Sequence, residues 1–214
     1  MSYYTTIGSR CYVSTGFATA TAVTGITNAD PPVVTSASHA LVDNDEALLL
    51  AGWEDFNYSV FRVNQLTTGT LSLDGYDATD TDDYPPGSDT GTIAKVSGWQ
   101  EIGQILGIQG GGGGPRTISI QPYDRRTPHV ETVGFEASNV SFTLGYDPAR
   151  ADQIALLAAS RKRQKRAIKF LLAGGAGYAY GYGTIALSPI PNFNPQGVLE
   201  RTLTVNFDGL FTQY

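Results

Sequence analysis

Between Asn139 and Tyr146 the side chains alternate without a break: Val140, Phe142, Leu144 and Tyr146 are apolar, and the residues between them are small or polar. A two-residue period puts every apolar group on one face of an extended chain, so this stretch must be a strand with one buried side. The same period returns in Val198–Phe207, where Leu199, Leu203, Val205 and Phe207 share a side, and in Thr70–Leu73 and Thr117–Ile120. The apolar runs Ala47–Trp53, Tyr58–Val63, Thr92–Val96, Arg166–Leu172 and Tyr178–Leu187 have strand length and turn residues at their ends. Tyr12, Val13, Phe17 and Val23 suit extended structure ahead of the break at Asp30-Pro31-Pro32. Eight or more strands leave room only for a mainly β fold.

One segment breaks the pattern. Asp147 offers a helix N-cap and Pro148 suits the first turn. Ala151, Ile154, Leu157 and Ala158 then recur at helical spacing. This spacing predicts a flanking helix over 147–163, with Asp147 and Asp152 at its positive end and Arg161, Lys162 and Arg163 at its negative end. Trp99–Leu106 fits either a strand or a short helix.

Two further stretches punctuate the chain. Residues 74–91 hold Asp74, Asp77, Asp80, Asp82, Asp83 and Asp89, with no Lys or Arg between Arg62 and Lys95. They read as an acidic loop or the tip of a hairpin excursion. Residues 107–116 contain the run Gly110–Gly114 closed by Pro115, which reads as a flexible loop.

Composition narrows the function. With 12 Tyr, 9 Phe and 2 Trp the chain is no disordered tail, and its 214 residues read as a single domain, 1–214. One cysteine, Cys11, excludes a disulfide framework and a cysteine zinc cluster. A formal charge of −6 excludes general polyanion binding by the whole chain. The first residues lack the apolar core of a signal peptide, and no apolar run approaches the ~20 residues of a membrane span. The expectation is a chain that stays in a cytoplasm until it assembles.

Catalytic constellations are missing. His39 and His129 are the two histidines, and no Gly-x-Ser-x-Gly elbow accompanies them. The glycine run lacks the Gly-Lys-Ser/Thr ending of a phosphate loop and precedes a strand. Asp80-Thr81-Asp82 begins a calcium-loop spacing, but the glycine at position six and glutamate at position twelve are absent. No enzyme activity, cofactor or metal is expected. What remains is charge. Arg161, Lys162, Arg163, Lys165 and Arg166 form a basic patch, and Asp77, Asp80, Asp82 and Asp83 an acidic one. Opposite patches far apart in sequence suit contacts between copies of one chain.

Three stretches, taken in order, resemble the major tail tube proteins of long-tailed bacteriophages. They are Ser38–Asp45 with Leu48–Gly52, Tyr58–Asn64 through Thr70–Gly75, and the helix after Tyr146-Asp147-Pro148 with the three strands ending in Thr202–Phe207. The resemblance implies an antiparallel β-sandwich or split barrel with one flanking α-helix and long loops. Six copies would close into a ring and complete a larger barrel, and rings would stack into a tube. Four strands from each of six copies make about 24. At ~4.8 Å spacing and 40–45° tilt the backbone radius is roughly 25 Å, leaving a bore of about 40 Å for a duplex ~20 Å thick. The resemblance implies as partners other copies of the chain, a tape measure protein, a tail terminator and distal tail proteins. DNA would pass the lumen without specific binding, in a virion tail. Two other readings stand beside it. One is a terminator ring with the same fold. The other is a monomeric binding module using Tyr178, Tyr180 and Tyr182, which share one side of a strand, to stack on sugars.

Overall fold

The computed structural model describes residues 7–193 and 197–214. Strands β1 (Arg10–Phe17), β2 (Thr21–Val23), β3 (Gly25–Ile26), β4 (Val33–Thr35), β5 (Asp45–Ala51), β6 (Ser59–Thr67), β7 (Thr70–Ser72) and β8 (Gly91–Glu101) come first. Next are β9 (Ile105–Gly111), β10 (Pro115–Ile120), β11 (His129–Phe135) and β12 (Asn139–Gly145). After helix α1 (Ala151–Arg161) follow β13 (Lys165–Leu171), β14 (Tyr178–Leu187), β15 (Glu200–Phe207) and β16 (Thr212–Gln213). The fold is mainly β, as the alternation requires, and every pairing is antiparallel.

The first lobe is a small closed barrel. Pairing runs β8–β5–β6–β7–β4–β3. β2, joined to β3 through Thr24 alone, pairs back onto β8 and shuts the cylinder. Closure removes the free edges of these strands. Ala47, Leu49, Phe61, Val63, Leu71 and Ile93 fill the interior, and Trp53 and Phe56 plug one end.

The second lobe is an open sheet, β8–β1–β13–β14–β15–β12–β9. Its two outer strands, β8 and β9, are joined by residues 102–104 only. Three residues reach about 10 Å, whereas five intervening strands laid flat would need over ~20 Å. The sheet is therefore tightly curled. Helix α1 packs on β14 and places Leu156 among Phe142, Leu144, Ile168, Phe170, Leu203 and Val205.

A third apolar layer joins the lobes: Leu48, Val60, Val96, Ala167 and Tyr180. Strand alternation explains it. In β5 Ala47 and Leu49 face the barrel while Leu48 faces the other lobe; in β13 Ile168 and Phe170 face the second core while Ala167 faces the first lobe. Both faces of these strands are covered, which is why they read as continuous apolar runs. β1 reverses its faces within its length. Cys11 and Val13 point to the second core and Phe17 to the seam, with register shifts at Ser14–Phe17 making the change.

Three expectations need correction. The helix starts at Ala151 rather than at 147, and Asp147 is not its cap: its Oδ1 accepts from Ala149 N at 3.0 Å in a turn ahead of it. The buried face carries Asp152, Gln153, Leu156 and Ala159, and Ile154 is 55% exposed. Polar groups occupy that face because each has partners. Asp152 accepts from Gly103 N (2.8 Å) and Arg150 Nε (2.9 Å), and Gln153 donates to the Gly145 carbonyl at 2.5 Å. The glycine run is not all loop either. Gly110 and Gly111 are strand residues paired with Val140 and Asn139, and Gly112 and Gly113 turn the chain at φ +76° and +72°. A Cβ on Gly112 would lie 2.0 Å from the Ala137 carbonyl oxygen, so only glycine fits that turn. Finally, Leu199 lies outside β15, and the buried set there is Arg201, Leu203, Val205 and Phe207.

Candidate assembly surface

The acidic stretch does not project. Ala78 is fully buried, and the ring of Tyr84 lies 5.2 Å from those of both Trp53 and Phe56. Trp53 Nε1 donates to the Pro85 carbonyl (2.9 Å), and Asn28 Nδ2 donates to the carbonyls of Ala78 and Tyr84 (3.0 and 2.9 Å). The loop is thus a lid over the plugged end of the barrel. On that frame Asp77, Asp80, Asp82 and Asp83 are exposed. Asp77 accepts from the Thr79 hydroxyl and amide, which hold its carboxyl below the usual range. Asp80 accepts from Asp82 N at 2.9 Å. These turns fix the backbone without neutralising charge. Among the described residues, none of the four carboxylates has a cationic partner.

The basic patch divides in two. Lys165 pairs with Asp208 (3.3 Å) and lies 5.0 Å from the centre of the Tyr58 ring. Arg166 donates to the carbonyls of Ser14 and Thr15 and to Gln164 Oε1. Both hold their own chain together. Arg161, Lys162 and Arg163 are exposed at the end of α1, with no ion pair among the described residues. The two patches border one segment of the same copy. Lys165 covers Tyr58, and the Tyr84 hydroxyl of the lid donates to Asp55 Oδ2 at 3.2 Å.

What projects instead is the β10–β11 hairpin. Among the described residues its strands pair only with each other, as a separate two-stranded sheet. Ile118, Ile120, Val130, Val133 and Phe135 are exposed on it, the last at 77%, and none belongs to any of the three cores. A lone two-stranded hairpin is marginal in water. Its tip, residues 121–128, presents Tyr123, Arg125 and Arg126 to solvent. The sequence contained a signal for it: alternation at Thr117–Ile120, followed by the turn formers Pro122, Asp124 and Pro128 and then the β-formers Val130, Thr132 and Val133. At the hairpin base β9 pairs, among the described residues, with β12 on one side only and exposes Leu106 and Ile108. It is an open sheet edge.

Cys11 is buried in the second core, and burial pushes its thiol up to about 12. His39 is buried beside Ile93 and Lys95, at one end of the barrel. The three tyrosines of β14 do share a face, but it lies against the other lobe. Tyr180 is 1% exposed and donates to Glu46 Oε1 at 3.2 Å.

A closed barrel fused to a sheet with an open edge, carrying a hairpin that has no core of its own, defines a β-rich structural subunit with contact surface to spare. Residues 51–214 match the phage tail tube protein family (TTP). The chain belongs to that family: it is a structural protein of the tail tube of a phage virion, where it assembles with copies of itself and other tail proteins. The match begins at the last residue of β5 and takes in β6, β7 and β8 of the barrel, the acidic lid, the hairpin, α1 and every strand of the second lobe except β1. Comparison with curated proteins finds no match to the chain.

Proposed function

We propose that six copies of this chain close into a ring, that rings stack into the tube, and that genomic DNA leaves the virion through the lumen. The observation that carries the reading is the β10–β11 hairpin with the adjoining β9 edge. One copy orders five exposed apolar side chains on a sheet that touches no core, and leaves a row of backbone donors and acceptors unpaired beside it. Another copy supplies what both lack. The acidic lid favours the same reading, because its four free carboxylates face outward on a fixed frame and await cations from outside the copy. A ring of six carries a charge of about −36, which suits a conduit that must not hold phosphates.

The tape measure protein, tail terminator and distal tail proteins are the expected further partners, and assembly takes place in the host cytoplasm. Negative-stain microscopy of the purified chain tests the proposal. Long hollow tubes of six-fold section are expected, and replacing residues 113–136 by a short glycine linker abolishes them while the barrel stays folded. Single rings that never stack would favour a terminator role. Monomers alone, at concentrations where tail proteins polymerise, would end the proposal.

A further inference from the structure

Two clusters of exposed cations, without an ion pair among the described residues, are available to the acidic lid: the end of α1 and the tip of the hairpin. We infer that the tip is the partner, so that Arg125 and Arg126 of one copy bind the lid carboxylates Asp77, Asp80, Asp82 and Asp83 of another. The inference rests on the tube reading and assigns one of its contacts.

Three observations favour the tip. First, the helix-end patch is partly spent, since Lys165 and Arg166 are bound within their own chain. Second, Arg161 ends α1, which packs on β14, and Lys162 and Arg163 follow in a tight turn, where Arg163 has φ +51° and its amide donates to the Ser160 carbonyl at 2.9 Å. The hairpin strands of six and seven residues carry Arg125 and Arg126 roughly 20 Å beyond the sheet from which they spring. Third, the two surfaces are complementary in form as well as charge. The lid is pinned by Trp53, Asn28 and the buried Ala78, so its carboxylates are held in place before any partner arrives. The tip offers two guanidinium groups, whose planar forks suit paired carboxylates, beside the exposed ring of Tyr123. Asp124 reduces the tip charge by one and leaves it positive. The contact is heterologous, lid to tip, and so a bound pair keeps one free lid and one free tip for further neighbours.

Charge reversal in both directions tests it, on the full chain, with assembly followed by light scattering and microscopy and folding by circular dichroism. Arg125→Glu with Arg126→Glu should raise the concentration needed for tube formation at least about tenfold, as expected for desolvated charge pairs. Asp80→Lys with Asp82→Lys should do the same, and the four changes together should recover most of the loss. Arg161→Glu with Lys162→Glu should have a smaller effect. In an independent test, Arg125→Cys mixed with Asp82→Cys should give a disulfide between chains, because Cys11 is buried and does not compete. If wild-type tubes form and the tip reversal leaves them unchanged, or the four-fold variant is no better than either pair, the lid–tip contact is wrong while the tube reading stands. If deleting the hairpin also leaves tubes intact, the reading beneath it falls too.

Discussion

Replacing Lys169 by methionine should loosen the two lobes from one another. Lys169 stands on β13 of the second lobe, and its Nζ lies 2.6 Å from Oε1 of Glu46 on β5 of the first. The same carboxylate accepts from the Tyr180 hydroxyl (3.2 Å) and from Trp99 Nε1 (3.3 Å). The ammonium lies 4.8, 5.5 and 5.8 Å from the ring centres of Tyr178, Trp99 and Tyr180. Burial, with the Glu46 charge second, pushes the Tyr180 hydroxyl well up, so it remains a donor throughout the working pH range. Truncating one partner of a fully buried pair costs roughly 3–5 kcal/mol, because the other charge is stranded. Here each side chain keeps 18% of its surface in contact with water, and two neutral donors still serve Glu46. The expected loss for Lys169→Met is therefore about 2–3 kcal/mol. Glu46→Gln should cost less, about 1–2 kcal/mol, since the ammonium keeps its rings and its edge of solvent.

The double change Lys169→Met with Glu46→Gln removes both charges and should recover about 1 kcal/mol or more relative to the sum of the single losses. Urea unfolding of the unassembled chain measures all three. The two tryptophans serve as separate reporters, with Trp53 in the barrel and Trp99 at the seam. Lys169→Met within ~0.5 kcal/mol of the parent, or strictly additive losses in the double variant, would refute the argument.

Three further outcomes are expected. Cys11 should resist thiol reagents at pH 8 in the folded chain and react at once in urea, because burial keeps the thiol protonated to about 12; rapid labelling of the native form would contradict this. Burial raises the carboxyl of Asp152, but hydrogen bonds from Arg150 and Gly103 outweigh it and hold the group below its usual range. Its contribution is thus complete above the unfolded value near 4 and lost as pH falls through the lower folded value. Asp152→Asn should flatten the stability profile below pH 4 and cost about 1–2 kcal/mol at pH 7, read from denaturant midpoints at each pH. Gly91→Val should cost about 3 kcal/mol or prevent folding, because a Cβ there would lie 1.9 Å from the Leu50 carbonyl oxygen, where β8 passes β5; an unchanged melting temperature would show that the strands can part.

How much of this was legible in the sequence depended on which surface a residue meets. The strands of β12, β13, β14 and β15 could be read almost residue by residue, because burial on one face or on both leaves a periodic mark. The helix could be placed but not oriented. Ala151, Ile154, Leu157 and Ala158 have the right spacing, yet Asp152 and Gln153 are the residues turned inward, and what turns them is the unpaired backbone of Gly103 and Gly145. A hydrophobic pattern carries no record of such debts. Barrel closure was equally hidden, since it depends on Thr24 bending one extended segment so that β2 and β3 pair with different neighbours.

The surface for assembly was the hardest to read, for a reason intrinsic to subunits. The alternation of Ile118 and Ile120 looks like that of any half-buried strand, because in the assembled state that is what the proposed function makes it. Sequence periodicity records burial without recording whose core does the burying. Only the fold of a single copy, in which these side chains find no core, separates the contacts a chain makes with itself from those it leaves to others. The acidic residues gave the opposite signal for the same cause. Six aspartates in residues 74–91 suggested a loop repelled into solvent, but Tyr76, Ala78 and Tyr84 among them anchor it on Trp53 and Phe56. A loop held so firmly presents charge in a fixed pattern, and a fixed pattern of charge is of use only to something that binds it.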